Sequence, residues 1–313
     1  MHPAFSVIFF TSATGAGNGL LIVLGTLAAL GLLPHDQLLA ATSLGLALSL
    51  NAAGLISSTF HLGRPERMWR AFSQWRSSWL SREAIASMLT FIPAVLFGLA
   101  WLVFDRSDAL TAVIGAIMAA GAACTVFTTG MIYASLKPIA EWNTRFTTPG
   151  YLAFAIMTGL VLLNAIFELW SLPDGGLQVA AMLAIGFAWV WKLATWRHND
   201  RLKLPATAGT ATSLAGGEVR SIEWPHTQQN YVLKEMGYRI ARKHSAALRW
   251  FAQLCAFAIP LAAIALAFAV DGGAATLTAV LAVVAQAPGI LVERWLFFAE
   301  ARHTVTLYYG LES

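Results

Sequence analysis

Charged residues are scarce in this chain. Asp, Glu, Lys and Arg together make up 12% of the 313 residues, while 58% of the residues are hydrophobic. Soluble domains carry about 25% charged residues, so this composition excludes a soluble globular protein and predicts an integral membrane protein. With so few charges, we expect lipid rather than nucleic acid to be a partner of the chain.

Metal-ligating residues are also few, and they are poorly placed for a metal site. Cys124 and Cys255 both lie inside apolar runs, far from a CxxC spacing, which predicts two small buried side chains and no disulfide. A haem within the bilayer needs axial ligands, most often histidines, at membrane depth. The seven histidines fall at the ends of runs, in loops or in tails: His2, His35, His61, His198, His226, His244 and His303. We therefore expect neither haem nor a metal in this chain.

What the chain has in abundance is long apolar runs. Eight stretches reach roughly 20 residues, enough to cross about 30 Å of hydrocarbon. They cover residues 5–33, 38–60, 84–104, 109–135, 149–170, 176–196, 246–270 and 274–292. The sequence predicts an all-α membrane bundle of eight transmembrane helices, forming a single membrane domain over residues 1–313. No Lys or Arg precedes the first run, so we expect it to be kept as a helix and not removed as a signal peptide.

The basic residues are confined to one side of this predicted bundle. Nineteen of the twenty lie in 61–82, 136–148, 192–249 or from 294 onward, and Arg106 alone falls on the other side. Cytoplasmic loops carry such an excess of Lys and Arg, which predicts that both termini and the main loops face the cytoplasm. The alternative is that the basic loops serve a protein partner and do not report topology.

One sizeable segment outside the membrane is predicted, at residues 197–245. Its first part is small and polar, and the stretch from Asn230 to Arg249 has the spacing of an amphipathic basic helix. Such a helix lies on anionic lipid or docks a partner, and the Trp-Pro-His lead-in at 224–226 favours docking.

The segment from His61 to Glu83 joins the second and third runs and is the main candidate for chemistry. Its two ends hold groups that exchange protons, and both sit at the same membrane surface. A quinone takes up protons as it is reduced, and a histidine and a carboxylate at the bilayer edge suit that exchange. The alternatives are structural: His61 caps the end of one helix, and Glu83 is stabilised by the dipole at the start of the next.

Arginine is used without exception as the basic residue between 61 and 83. It pairs bidentately with carboxylates better than lysine does, which favours docking of an acidic partner over diffuse attraction to lipid phosphates. In the first run, Thr14-Gly15-Ala16-Gly17-Asn18-Gly19 is rich in small residues. These residues let either another helix or a flat ligand approach the backbone closely.

The motifs at the two ends of this segment are similar to those of a known family. His61-Leu62-Gly63-Arg64-Pro65 and Leu80-Ser81-Arg82-Glu83, with the eight runs and the glycine-rich first helix, resemble the membrane-anchor subunit of bacterial dimethyl sulfoxide reductase. The resemblance implies a haem-free anchor that holds an iron–sulfur subunit and a molybdopterin catalytic subunit and exchanges electrons with ubiquinone or menaquinone. It also implies that His61 and Glu83 bind quinol.

The remaining site candidates follow from this resemblance and from the basic loops. Candidates for the quinone pocket besides His61 and Glu83 are Gly15, Asn18, Arg64, Trp79 and Arg82. Candidates for partner docking are Arg67, Arg70, Arg76, His226, Lys234, Arg242 and Lys243.

The long loop resembles a narrower group. Its Pro225-His226-Thr227 and Ala241-Arg242-Lys243-His244 look more like the membrane subunit of the cytoplasmic sulfite-oxidising molybdoenzyme. The predicted cytoplasmic face agrees, since the catalytic subunits of dimethyl sulfoxide reductase are generally outside the cytoplasm. This implies electron flow from sulfite to quinone at the bacterial cytoplasmic membrane. The alternatives are an anchor oxidising quinol for an S-oxide or N-oxide reductase, a purely structural anchor, and a secondary transporter, whose polar sites would lie nearer the midplane.

Overall fold

The computed structural model describes residues 5–60, 62, 64–202, 206–214, 219, 222–223 and 239–304. Within these ranges, eight helices are long and apolar enough to cross a membrane. They are α1 Phe5–Ala29, α2 Gln37–Thr59, α3 Trp79–Val103, α4 Ala109–Ala134, α5 Thr147–Leu169, α6 Gly175–Asn199, α7 Ser245–Ala269 and α8 Gly273–Ala299. The described residues contain no β-strand, and the prediction of an all-α bundle of eight spans is confirmed.

The chain crosses the bundle eight times, so its connections alternate between two faces. The basic face, as we call it, carries the described parts of 60–78, 135–146, 200–244 and 300–304. The opposite, capped face carries 30–36, 104–108, 170–174 and 270–272. On the capped face, Asp36, Asp108 and Asp174 each accept a hydrogen bond from a backbone N–H in the first turn of α2, α4 and α6. These three aspartates are therefore helix N-caps.

Helices α1 and α5 form the centre of the bundle and are its most buried helices. Helix α1 packs against α2, α4 and α5, while α3 packs mainly on α4. Helix α5 packs against α6 and α8, and α7 packs on α8. Helices α2 and α3 barely touch although they are consecutive in the chain, which leaves a cleft between them.

Two helix ends differ from the predicted runs in a way that matters for function. Helix α3 begins at Trp79, so Glu83 lies inside it, and α8 continues to Ala299, so Glu293 and Arg294 lie inside it. Hydropathy alone ends a run at the first charged residues, whereas a charged side chain that faces the bundle interior does not end a helix.

The described part of the 197–245 segment is limited. It includes two short helices, Ala208–Ala211 and Arg239–Lys243, and His244 separates the second of these from α7. Residues 230–238 of the predicted amphipathic helix at 230–249 lie outside the described residues, as do both chain termini.

Candidate functional site

Glu83 is buried near the basic face. It is the fifth residue of α3, and its residue surface is 4% exposed. It faces α4, where the Thr129 hydroxyl donates a hydrogen bond to Oε1 over 2.9 Å. A carboxyl group removed from water needs such a partner, and α4 supplies it from 46 residues away in sequence.

The Thr129 hydroxyl serves two acceptors with a single hydrogen. Its oxygen is 2.9 Å from Glu83 Oε1 and 3.0 Å from the backbone oxygen of Thr125. When Glu83 is ionised, the hydroxyl donates to the carboxylate. When Glu83 is protonated, its own O–H can donate to the Thr129 oxygen, whose hydrogen then turns to Thr125. The pair therefore has a satisfied arrangement in either protonation state, which suits a group that exchanges protons.

Below Glu83, a narrow polar cleft runs into the bundle. Ser87 and Thr90 follow Glu83 on the same face of α3, at i+4 and i+7, and line the cleft between α1, α2 and α3. Asn18 and Asn51 line it from α1 and α2, with leucine side chains and Phe91 forming the apolar part of the wall. The cleft has a free volume of about 10 Å³, roughly one water molecule, so a ring enters it only if the lining side chains move.

The two asparagines of the cleft are bonded to each other. Asn18 Nδ2 donates to Asn51 Oδ1 over 2.7 Å and to the Thr14 carbonyl over 2.9 Å. Asn51 Nδ2 donates to the Ala47 carbonyl over 3.0 Å. The pair ties α1 to α2 at the cleft wall, as buried amides do within membranes.

Gly15 lies on a different face of α1 from Asn18. It lines a groove between α1, α5 and α8, together with Tyr151, Phe154 and Arg294. A methyl group added at Gly15 would contact nothing, so this glycine leaves open space and is not needed for helix packing. The structure thus separates two residues that the sequence assigned to one quinone pocket.

Arg64, Trp79 and Arg82 do not line the cleft. Arg64 is exposed at the start of a short 3₁₀ helix, Pro65–Phe72. Arg82 donates from Nε to the Trp75 carbonyl over 2.9 Å and from Nη2 to the Arg76 carbonyl over 2.7 Å. Its guanidinium also lies 4.3 Å from the centre of the Trp79 ring. Arg82 therefore fastens the loop to the start of α3.

The other arginines of this loop point outward. Arg67, Arg70 and Arg76 are exposed, and Arg70 and Arg76 each lie over a neighbouring tryptophan ring. Within the described ranges, the only carboxylate within 4 Å of these three side chains is Glu66, at 3.9 Å from Arg67. The predicted pairing of this loop with acidic groups thus requires carboxylates from elsewhere.

The structure describes the predicted docking residues of the long loop only in part. Arg242 donates to the backbone oxygens of Ala299 and Ala301 over 2.9 and 3.0 Å, so it caps the C-terminal end of α8. Lys243 is exposed. His61, His226 and Lys234 lie outside the described residues.

Sequence reasoning missed a buried charged cluster formed by Lys192, Glu293 and Arg294. Lys192 Nζ contacts Glu293 Oε1, and Arg294 Nε donates to Glu293 Oε2 over 2.5 Å. Their side chains are at most 7% exposed, so these charges lie inside the bundle, although the sequence counted Lys192 and Arg294 among the basic residues of the loops and the tail. Lys192 inside the sixth apolar run was the available signal, since an intramembrane charge needs a partner.

Comparison with known proteins identifies the family. The profile of the DMSO reductase anchor subunit (DmsC) family matches residues 1–311. The chain belongs to this family. The chain is also 36% identical over 327 aligned residues to a sulfite dehydrogenase subunit of Allochromatium vinosum, covering 99% of each protein. Both resemblances stated from the sequence motifs are thereby confirmed, and the protein is a multi-pass membrane anchor subunit.

Proposed function

We propose that the chain is the quinone-binding, haem-free anchor of a complex with an iron–sulfur subunit and a molybdopterin catalytic subunit. The observation that carries this proposal is the buried Glu83 carboxyl group, which is bonded to Thr129 and lies one turn along α3 from Ser87 in the wall of a polar cleft. A quinone site needs a proton-exchanging group in that position, whereas a purely structural anchor does not.

The residues of the cleft fit the chemistry of a quinone. A bound quinone supplies a redox couple that takes up two electrons and two protons or releases them. Glu83 gains or loses a proton next to the ring, and Thr129 can form a hydrogen bond with it in both protonation states. Asn18, Asn51 and Ser87 offer polar groups for ring oxygens, while the leucines and Phe91 exclude water. His61 is proposed as the second proton-exchanging group on the strength of the family resemblance.

The exposed arginines of the 64–76 loop are proposed to dock the iron–sulfur subunit. They lie on the same face as Glu83, beside Trp69 and Trp75, whose surfaces are 63% and 52% exposed. Arginine and tryptophan are enriched at the energetic centres of protein interfaces. Docking there would bring the electron donor or acceptor close to the quinone end of the bundle.

Sulfite is the proposed electron donor, with electrons passing to the quinone pool of the bacterial cytoplasmic membrane. The Allochromatium vinosum relative carries the name of a sulfite dehydrogenase subunit, and the distribution of basic residues favours a cytoplasmic position for the docking face. The second candidate is an anchor that oxidises quinol for an S-oxide or N-oxide reductase, which the family's description supports.

A turnover assay on the purified complex separates these functions. We expect sulfite-dependent reduction of a soluble quinone analogue, measured optically, and no quinol oxidation by dimethyl sulfoxide. A soluble artificial electron acceptor that bypasses quinone serves as the control for the catalytic subunits. Quinol oxidation by dimethyl sulfoxide without sulfite activity would establish the second candidate. Activity with the artificial acceptor alone would leave a structural anchor.

A second measurement determines on which side of the membrane the basic face lies. A reporter that is active only in the cytoplasm should be active when it is fused after residue 215, because 19 of the 20 basic residues lie on that side of the bundle. A fusion after Asp174 on the capped face should give the opposite signal. An extracytoplasmic signal after residue 215 would rule out oxidation of sulfite in the cytoplasm by a subunit docked on the basic face.

The Thr129 hydroxyl is expected to tune the quinone reaction. Replacing Thr129 by Val keeps the shape of the side chain but removes the hydrogen bond that Glu83 accepts from α4. Losing a hydrogen bond to a charged group costs about 1.5–3 kcal/mol, so quinone-coupled turnover should fall about tenfold or more. Thr129→Ser should retain most of the activity. Equal turnover of wild type and Thr129→Val would show that this bond has no role in the reaction.

A further inference from the structure

The charged cluster of Lys192, Glu293 and Arg294 lies at the same depth as Glu83. Each of these residues sits four to seven positions inside the basic-face end of its helix, or about 6–11 Å along the axis at 1.5 Å per residue. Thr129 and Tyr151 occupy the same depth on α4 and α5. Five helices thus contribute a polar side chain to one layer of the bundle, beneath the basic face.

Tyr151 connects the charged cluster with the Glu83 side of this layer. The Arg294 guanidinium carbon lies 4.6 Å from the centre of the Tyr151 ring. Tyr151 also belongs to a buried cluster with Val126 of α4, one turn from Thr129. The Tyr151 hydroxyl is buried and interacts with the Arg294 guanidinium, but its own hydrogen has no acceptor among the described residues. A buried hydroxyl in that state is suited to a bond with water.

The other end of the cluster opens into a cavity of about 270 Å³, with room for several water molecules. Lys192 lines this cavity, and Asp200, with a side chain that is 53% exposed, lies at its rim. Three further ion pairs line it: Arg249 bonds both Asp200 and Glu300, and Arg302 bonds Glu141. The hydrogen bonds from Arg249 hold the pKa of Asp200 below its usual range.

The charges in this cavity are balanced, so it is not a site for an ion. Each cation that lines it is paired with a carboxylate. Its polar walls and its exposed rim are those of a water-filled inlet. Of the three members of the intramembrane cluster, only Lys192 lines this inlet.

We propose that this cavity, the cluster and Tyr151 form a proton pathway between water at the basic face and Glu83. The inference rests on the proposed quinone function. For each quinone reduced by two electrons from the iron–sulfur partner, two protons enter through the cavity, and oxidation of quinol reverses their direction. Lys192 and Glu293 pass each proton on and return to their starting states. Arg294 stays protonated and holds Glu293 in place, and the Tyr151 hydroxyl relays the proton through water towards Glu83.

Two conservative variants of the complex test this pathway. Tyr151→Phe removes only the hydroxyl and keeps the ring on which the Arg294 guanidinium lies, so folding should be preserved. Lys192→Arg keeps the positive charge beside Glu293 but cannot release a proton in a protein. Removing one proton-transfer group slows proton transfer by about 10²-fold or more. Because water carries part of the proton flow around the missing group, the expected loss is smaller, about tenfold. We therefore expect kcat with quinone to fall about tenfold, with an increased solvent deuterium isotope effect and an unchanged KM for quinone.

Controls separate this inference from the proposed function. Turnover with an artificial acceptor should be normal in both variants. Glu168→Gln, which changes a buried carboxyl group near the capped face that is bonded to Gln178, should also leave quinone turnover normal. Normal kcat and isotope effect in both Tyr151→Phe and Lys192→Arg would overturn the pathway and leave the cluster as a structural tie between α6 and α8. If Glu83→Gln also keeps normal quinone turnover, the assignment of the quinone site to Glu83 fails as well, whereas a wild-type complex without quinone turnover would refute the quinone function itself.

Discussion

Replacing Gly19 by Val is expected to prevent accumulation of the folded subunit in the membrane. A methyl group built on Gly19 would overlap the backbone carbonyl of Ala155, and one built on Gly159 would overlap the backbone of Gly19. Helices α1 and α5 therefore meet backbone to backbone, as small residues permit within membranes. These two helices form the centre of the bundle, so separating them disturbs contacts on every side.

The measurement is the amount of detergent-solubilised subunit that elutes as a single species on size exclusion, with its thermal unfolding midpoint. Overpacking a well-packed interior typically costs about 1–3 kcal/mol, and a clash with rigid backbone is at the upper end or above it. The matched control is Gly45→Val on α2, where an added side chain meets no other atom. Equal yields and midpoints for the two variants would show that the α1–α5 crossing adapts at little cost.

The eight spans were predictable because a helix in lipid needs a long apolar run, and that signal depends on composition alone. The positions of helix ends were less predictable. Glu83 lies inside α3 because Thr129 of α4 bonds it, and Glu293 lies inside α8 because Lys192 of α6 neutralises its charge. Hydropathy scores a residue type and contains no information on its partner.

The candidate site was predictable only in part for the same reason. The sequence placed Glu83 at a membrane surface but gave no sign that Thr129 would bond it. Gly15 and Asn18 were grouped by proximity in the chain, yet they face a groove and a cleft on different sides of α1. Lys192 and Glu293 are about a hundred residues apart in the sequence, so their pairing appears only when α6 and α8 are packed together.

Glu83→Gln is expected to abolish most quinone-coupled turnover while the complex remains assembled. Glutamine has the size of glutamate, and its amide oxygen can still accept the hydrogen bond from Thr129. What it loses is the capacity to take up a proton, a contribution that is typically worth about 10²–10⁴-fold in rate. His61→Ala should act in the same direction, since the family resemblance assigns it to the same quinone.

The measurement is kcat with a quinone analogue, compared with turnover of an artificial acceptor by the same preparation. Glu168→Gln is the matched control, because Glu168 is also a buried carboxyl group bonded by a polar side chain. Glu83→Asp keeps a proton-exchanging group but moves it back by one methylene, so it should restore part of the activity that glutamine loses. Full activity in Glu83→Gln would exclude proton exchange at Glu83. Equal losses in Glu83→Asp and Glu83→Gln would instead show that the reaction depends on the position of the carboxyl group as well as on its proton.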